Sequence, residues 1–375
     1  MTEVFVVNSG SSSIKYQLID LDTEKVRLSG LIERIGEPGS DVPDHSAAMR
    51  RVLATLGTQQ APVVVGHRVV HGGSRFSAAT VITEAVEAEI EELSALAPLH
   101  NPANLAGIRA AKAAVPGSQQ VAVFDTAFHQ TLAPAAYTYA IDAELAVRHG
   151  VRRYGFHGTS HKFVAESTAA FLGRPLTELR LIVFHLGNGA SVCAIAGGRS
   201  VETSMGMTPL EGLVMGTRSG DVDPAVLFHL HREAGLGVVE LDDLLNRRSG
   251  LLGLSGRGDM RDIRAAAESG DASARAALDV YLHRIRHYLG AYLAQLGGAD
   301  AIVFTAGVGE NSAETRAEAL AGLEWLGIRL DVARNQSTSR RPRQISTDDS
   351  TTAVIVVPTN EELEIARQSL AAIVS

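Results

Sequence analysis

Two stretches of the chain share one plan. Val6-Val7-Asn8-Ser9-Gly10 continues through Ser11, Ser12 and Ser13 into a second apolar segment. Val183-Phe184-His185-Leu186-Gly187 continues through Asn188, Gly189, Ala190 and Ser191 into Val192 to Ile195. Each reads as strand, polar turn, strand. Gly10 and Gly187 lie 177 residues apart, close to half of the 375-residue chain. That spacing predicts a duplicated fold whose two similar lobes face each other across a cleft. The length alone carries two or three domains at roughly 100 to 200 residues each, which excludes one small module.

The segments between these turns fix the fold class. Val4 to Val7, Val63 to Val65, Val121 to Phe124, Leu181 to Phe184, Ala301 to Phe304 and Ala353 to Val357 are short, β-branched and near-continuous, as buried strands are. Helical stripes alternate with them. In Glu84 to Ala97 the apolar positions Val86, Ile90, Leu93 and Leu96 or Ala97 recur at helical spacing, and Ala272 to Leu296 carries Leu278, Leu282, Ile285, Leu289, Leu293 and Leu296 on one face. That face reads as core, with a subunit contact as the alternative. Strand and helix in alternation imply an α/β architecture. Arg334 to Thr352 is polar and aperiodic, so an exposed loop is expected there.

Composition narrows the function. Hydrophobic residues at 45% and charged residues at 20% describe an ordinary globular chain with ample material for cores. The net charge of −8 argues against a general nucleic-acid footprint but leaves room for a local cationic pocket. Cys193 is the only cysteine, so no intramolecular disulfide and no thiolate-rich metal site can form, and a reducing cytoplasm fits. No basic segment precedes the first apolar run and no apolar stretch reaches membrane-spanning length, so neither export nor membrane insertion is expected.

Several residues suit anion chemistry. The P-loop pattern is absent, and Gly10 to Lys15 leads into alternating Ile14, Tyr16 and Leu18 instead of a helix. A serine-rich hairpin ending in Lys15 is either a simple turn or a phosphate cradle of N–H groups, hydroxyls and one cation. Gly187 to Gly189 and Gly307-Val308-Gly309-Glu310-Asn311 also follow strands, and three glycine-bearing strand ends favour a nucleotide cradle. Arg68, after Val63 to His67, and Arg218, between Gly216-Thr217 and Ser219-Gly220, are surface arginines or bidentate partners for a carboxylate or phosphate. Asp125 follows a buried strand, where a carboxylate needs a partner or serves a turn. His67 and His71, and His157 and His161, are four apart, but the interrupting glycines argue against a zinc pair. Thr359-Asn360 before Glu361 and Glu362 reads as a helix cap with acidic first-turn residues.

Taken together, these motifs and their neighbours resemble the acetate and propionate kinase family. The likeness runs through Asn8 to Ser13, Gly66 to Gly73, Phe124 to His129, Tyr154 to His161, His185 to Gly189, Gly206 to Gly212 and Gly216 to Asp221, in order and across nearly the whole chain. It implies the two-lobed, duplicated fold of actin, sugar kinases and the heat-shock-chaperone ATPases, with ATP and magnesium (or manganese) in the interlobe cleft. The first lobe would span 1–150 and be joined by the C-terminal helix 361–375, and 151–360 would form the nucleotide-binding lobe with dimer contacts. The implied reaction is reversible transfer of the ATP γ-phosphoryl group to acetate, giving acetyl phosphate and ADP. Carried over by position, Asn8 and Glu361 would serve the metal. Lys15, His185, Leu186, Gly187, Asn188, Gly189, Asp259, Met260, Arg261, Gly307, Val308, Gly309, Glu310 and Asn311 would serve the nucleotide. Arg68 would hold the carboxylate; Val70, Leu99, Phe156 and Pro209 would form the methyl pocket; Arg218, His157 and Asp125 would be catalytic. A cytoplasmic homodimer is likewise implied.

Physics limits the roles. A carboxylic acid with a pKa of roughly 4 to 5 is already ionised at neutral pH, so Asp125 is expected to orient a metal-bound water or an arginine instead of deprotonating acetate. The barrier is repulsion between two anions, which Arg68, Arg218, Lys15 and magnesium would oppose. The resemblance falters between Gly36 and Pro62, a stretch about 25 residues shorter than the family pattern. Two alternatives remain: a kinase for propionate or another short-chain acid, because one methylene is worth only about 1 to 3 kcal/mol, and a nucleotide-driven binding module without acyl phosphate chemistry.

Overall fold

The computed structural model describes residues 2–10, 12–37, 39–56, 62–98 and 100–374. The chain forms two compact units: Met1–Gln130 with Phe156–Ser160 and Asn360–Ser375, and Thr131–Gly155 with His161–Thr359. The division expected from sequence at 150/151 differs from this one in three places: 131–150 falls in the second unit, and 156–160 and 360 fall in the first. Within the second unit, Thr131 Oγ1 donates to Ser200 O at 2.7 Å, and Arg153 N donates to Tyr137 O at 2.8 Å.

The first unit is built on strands β1 (Glu3–Ser9), β2 (Ile14–Asp20), β3 (Lys25–Ile32), β4 (Val64–Val69), β5 (Thr80–Val81) and β6 (Gln119–Phe124), in the order β3-β2-β1-β4-β6-β5. β1, β4 and β6 are parallel neighbours, and their runs of Val and Phe are buried on both faces. Helices 45–56 and 101–114 supply Met49, Val52, Ala110 and Ala111 to one core with Phe5, Val7 and Val65. The helix 361–374 buries Leu363, Ile365 and Ala366.

The second unit repeats this plan strand for strand. Its strands β7 (Arg180–Leu186), β8 (Ala190–Ala196), β9 (Arg199–Thr203), β10 (Ala301–Thr305), β11 (Arg343–Gln344) and β12 (Ala353–Val356) lie in the order β9-β8-β7-β10-β12-β11. In both sheets an antiparallel three-strand meander joins two parallel strands and ends on a short antiparallel edge. Even the register shift recurs, at Leu18/Ile19 and at Ala194/Ile195. The duplication legible in the turns at Gly10 and Gly187 is thus a duplication of whole sheets.

Local chemistry sets the element ends. The long helix is Ala272–Leu296, capped by Asp271 accepting from Ser273 N and Ala274 N and closed by Gly297 at φ 64°. Its predicted face is core: Leu278, Leu282, Ile285 and Leu289 are buried, joined by Tyr281 and Tyr292. Helix Glu84–Glu92 stops short of the expected Ala97 and tightens into a 3₁₀ turn at Leu93–Ala95. The loop expected at 334–352 is partly ordered instead. β11 pairs with β12, Leu330 bridges Ser346, and Ile345 is fully buried. Among the described residues no helix is long and apolar enough to cross a membrane.

Candidate active site

In the first unit, three parallel strands deliver polar side chains at their carboxyl ends, where open α/β sheets bind ligands. Asn8 and Arg68 each sit one residue before the end of their strands, β1 and β4, and Asp125 follows β6. Arg68 grips Asp125 through both edges of its fork, Nε to Oδ1 at 2.9 Å and Nη2 to Oδ2 at 2.6 Å, and its Nη1 reaches Asn8 Oδ1 at 3.4 Å. Burial pushes the Asp125 carboxyl above its ordinary range and the guanidinium opposes that push. Protonating Asp125 would strand a buried guanidinium, so we hold the pair to be ionised.

Glu361 and Glu362 open the helix 361–374, which Asn360 caps by accepting from Leu363 N at 3.0 Å. Burial raises the Glu361 carboxyl above its ordinary range, with Arg68 opposing, and no hydrogen bond to its side chain forms among the described residues. Lys15, directly opposite Asn8 in the β1–β2 ladder, is ion-paired with Glu362. Lys15 therefore belongs with this cluster of the first unit.

Beside the cluster, Val70 and Phe156 are buried, and the Phe156 ring meets His71 edge-on at 5.5 Å. Leu99 lies outside the described residues. Two buried asparagines that sequence reasoning missed brace this region. Asn104 accepts from Val70 N at 3.0 Å and donates to Ser9 O at 2.6 Å, while Asn101 accepts from His71 N at 3.1 Å. Their signal was available: both fall on the stripe of helix 101–114 that carries Leu105 and Ile108. His157 holds φ 56°, strained for a non-glycine residue. The next residue, Gly158, donates to Asp125 O at 2.9 Å, and a Cβ there would stand 2.2 Å from that oxygen.

Three of the four-apart histidines are engaged by hydrogen bonds. His67 bonds Gln120 through Nε2 at 2.8 Å, and burial lowers its pKa to about 4. His71 Nδ1 accepts from Gly73 N at 3.0 Å, and His161 Nε2 meets Ser191 Oγ at 2.9 Å. No group of three or more His, Cys, Asp or Glu converges among the described residues.

In the second unit, Arg218 lies in a loop that also carries Pro209. Asp221 ties the loop together, accepting from Gly212 N at 2.8 Å and from Tyr288 Oη at 2.9 Å. Arg218 Nη1 donates to Pro209 O at 3.0 Å, yet no carboxylate pairs with it among the described residues, and burial lowers its pKa. A desolvated guanidinium without counter-charge is a place for an anion.

The same unit holds a cavity of about 560 Å³. Of the nucleotide residues expected, Gly187, Asn188, Asp259, Met260, Arg261, Gly307, Val308 and Asn311 line it. His185, Leu186, Gly189, Gly309 and Glu310 do not. Leu186 is fully buried at the end of β7, and the Glu310 carboxylate is engaged by Ala306 N at 2.9 Å and Thr359 N at 3.1 Å, holding Ala306 at φ 64°. These residues shape the wall from behind. Gly216, Leu251, Gly258, Arg264, Tyr281, Ser312 and Glu314 also line the cavity and were not assigned from sequence. Gly216 admits no side chain, since a Cβ would stand 2.0 Å from Asn188 Oδ1. Asp259 caps the helix 260–268 and pairs with Arg261 at 2.7 Å.

A sequence profile described as the acetokinase family matches residues 3–367. The chain belongs to the acetokinase family. Acetate kinase of Leifsonia xyli subsp. xyli is 64% identical, covering 100% of this chain and 99% of the relative, and that of Clavibacter michiganensis subsp. michiganensis is 61% identical with 99% of each covered. Among solved structures, Porphyromonas gingivalis acetate kinase matches with a TM-score of 0.96 at 42% identity over 100% of both chains. A propionate kinase from Francisella tularensis subsp. tularensis matches at 0.93 and 39%, covering 99% of this chain and 100% of that one. The Leifsonia alignment runs over 394 positions against 375 residues here, so this acetokinase lacks counterparts for at least 19 of them. A shortened segment between Gly36 and Pro62 accords with that, although 57–61 lie outside the described residues.

Asn8 and Glu361 fit the metal that the acetokinase family implies. One amide oxygen and one carboxylate oxygen are hard donors, and the Glu361 carboxylate is desolvated without a bonded partner. Magnesium sites with one or two protein ligands, completed by water and phosphate oxygens, have this character.

Proposed function

We propose that the chain is an acetate kinase, transferring the γ-phosphoryl group of ATP reversibly to acetate to give acetyl phosphate and ADP. The observation that carries the reading is Arg218, a half-buried guanidinium with no carboxylate partner among the described residues. Folding leaves it in want of an anion, and a phosphoryl group shedding charge onto its oxygens is such an anion.

In this mechanism an acetate oxygen attacks the γ-phosphorus in line, the bond to the bridging oxygen breaks, and its electron pair leaves with ADP. Arg68 binds the carboxylate through Nη1, the N–H group least engaged by the protein, while Asp125 holds the rest of the fork in place. Val70, Leu99, Phe156 and Pro209 are the residues we assign to the methyl group. Arg218 and His157 steady the transferring phosphoryl group. Gly187, Asn188, Asp259 to Arg261, Gly307, Val308 and Asn311 hold the nucleotide, with His185, Leu186, Gly189, Gly309 and Glu310 supporting them. Asn8 and Glu361 would hold magnesium, or manganese in its place, and Lys15 draws the phosphates toward them. When bound, the metal supplies charge neutralisation on the phosphate oxygens.

The reading is tested by trapping the product: acetate, ATP and magnesium with hydroxylamine yield acetyl hydroxamate, and no hydroxamate refutes it. Propionate is the second reading, supported by the propionate kinase among the similar structures. The ratio of kcat/KM for the two acids decides between them. We further propose a cytoplasmic homodimer joined through the second unit, supported by the exposed Val147, Phe228, Val238 and Val239. Sedimentation showing a monomer at micromolar concentration rejects the dimer.

A further inference from the structure

Arg264 lines the cavity of the second unit and stands outside every motif that identified the nucleotide residues. It lies on helix 260–268, three residues after Arg261, yet the two arginines differ in kind. Arg261 is 89% exposed and folded onto Asp259, whereas the Arg264 side chain is only 13% exposed. One edge of its guanidinium is fully engaged: Nη2 donates to Thr315 Oγ1 at 2.7 Å and to Glu318 Oε2 at 2.9 Å, and Nε leans on the same hydroxyl at 3.3 Å. Nη1 has no protein acceptor among the described residues. A planar donor group is thus locked in orientation with one N–H-bearing nitrogen left over in the wall of a ligand-sized cavity.

The charge of Arg264 argues against a phosphate partner. Glu318 neutralises it at 2.9 Å, so Arg264 offers direction more than charge, in contrast to the uncompensated Arg218. Its surroundings agree. Leu251, Met260, Val308 and the ring of Tyr281 line the same cavity, an apolar and aromatic setting suited to a nucleoside and not to a polyphosphate. We infer that Arg264 is a nucleoside-binding residue, donating from Nη1 to an acceptor atom of the base or ribose while Thr315 and Glu318 fix its angle. This inference rests on the reading of the cavity as the nucleotide site.

Removing the side chain should leave its partners satisfied, since Thr315 Oγ1 keeps Ser312 Oγ at 2.8 Å and Glu318 Oε1 keeps Arg275 at 3.5 Å. The test is calorimetric titration of the parent, Arg264→Ala and Thr315→Val with ADP, adenosine and pyrophosphate. A charge-assisted hydrogen bond lost from a desolvated site predicts roughly 10- to 100-fold weaker binding of both ADP and adenosine to Arg264→Ala, with pyrophosphate unchanged. Thr315→Val, which keeps the guanidinium but loosens it, should lose less, roughly threefold to tenfold. Parent affinity for adenosine in Arg264→Ala overturns the inference, and so does a loss confined to ADP and pyrophosphate. A parent protein that binds no ADP at all overturns the nucleotide reading itself, a separate outcome.

Discussion

Replacing Asp125 by Asn isolates what the Arg68–Asp125 pair does. The carboxylate is 2% exposed and its partner 23% exposed, and each oxygen accepts one N–H of the fork, at 2.9 and 2.6 Å. Asparagine keeps one acceptor oxygen and turns an NH₂ group toward the other guanidinium nitrogen, donor against donor. The half-buried guanidinium loses its bonded counter-charge and keeps only the through-space attraction of Glu361 and Glu362, a situation that costs up to about 3 to 5 kcal/mol. Urea unfolding at pH 7 and fixed ionic strength should show that loss. The same vacancy should make the variant responsive to anions. An anion that occupies the freed fork stabilises by RT ln(1 + [L]/Kd), about 2.7 kcal/mol at a hundredfold excess over Kd. Acetate should therefore raise the unfolding midpoint of Asp125→Asn more steeply than that of the parent, with chloride as the control. Parent-like stability, or an acetate response no steeper than the parent's, would refute the view that Asp125 exists to hold Arg68.

Arg218→Lys retains charge but loses the planar fork, and turnover should fall roughly 100- to 1000-fold; near-normal kcat defeats the assignment. His67 is kept neutral by burial, with its pKa lowered to about 4 from the usual 6.5. The unfolded chain thus binds the extra proton between those values, so stability is full above pH 6.5 and falls by about 3 kcal/mol as pH drops toward 4. His67→Gln should flatten that part of the stability profile, and an unchanged acid slope counts against it. Cys193 is fully buried and its thiol pushed up to about 12, so it should resist alkylation in the folded protein and react on unfolding. Rapid labelling of native protein would contradict this.

What could be read from sequence followed signal strength. The central strands were legible because burial on both faces writes itself as unbroken Val, Ile and Phe. The edges were not. β3 alternates between exposed and half-buried positions, and β11 is two residues long, so neither carries a pattern above that of a loop. Ile345, the buried anchor of the 334–352 segment, is one apolar residue in a polar stretch and has no periodicity to announce it. At the site, motifs pointed to regions but could not resolve faces. In His185 to Gly189 and in Gly307 to Asn311 every residue shares the motif, yet strand and helix geometry send some side chains to the cavity and others behind it. Arg264 and Tyr281 show the converse, reaching the cavity from helices whose pattern reads as ordinary surface and core.

The distribution of charge explains why these particular residues remain reactive. In the first unit, Asp125 is spent on Arg68 and Glu362 on Lys15, which leaves Glu361 as the carboxylate of that cluster without a bonded partner among the described residues. In the second unit, Arg264 is answered by Glu318, Arg261 by Asp259 and the buried Arg316 by Asn335 and backbone oxygens, whereas Arg218 is a half-buried guanidinium with no carboxylate partner among the described residues. Burial penalises both imbalances. A fold under selection for stability alone would pair or remove such groups, so each is best explained by a ligand of opposite sign: a cation at Glu361 and an anion at Arg218. A reaction that brings a metal-bound polyphosphate to a carboxylate supplies both.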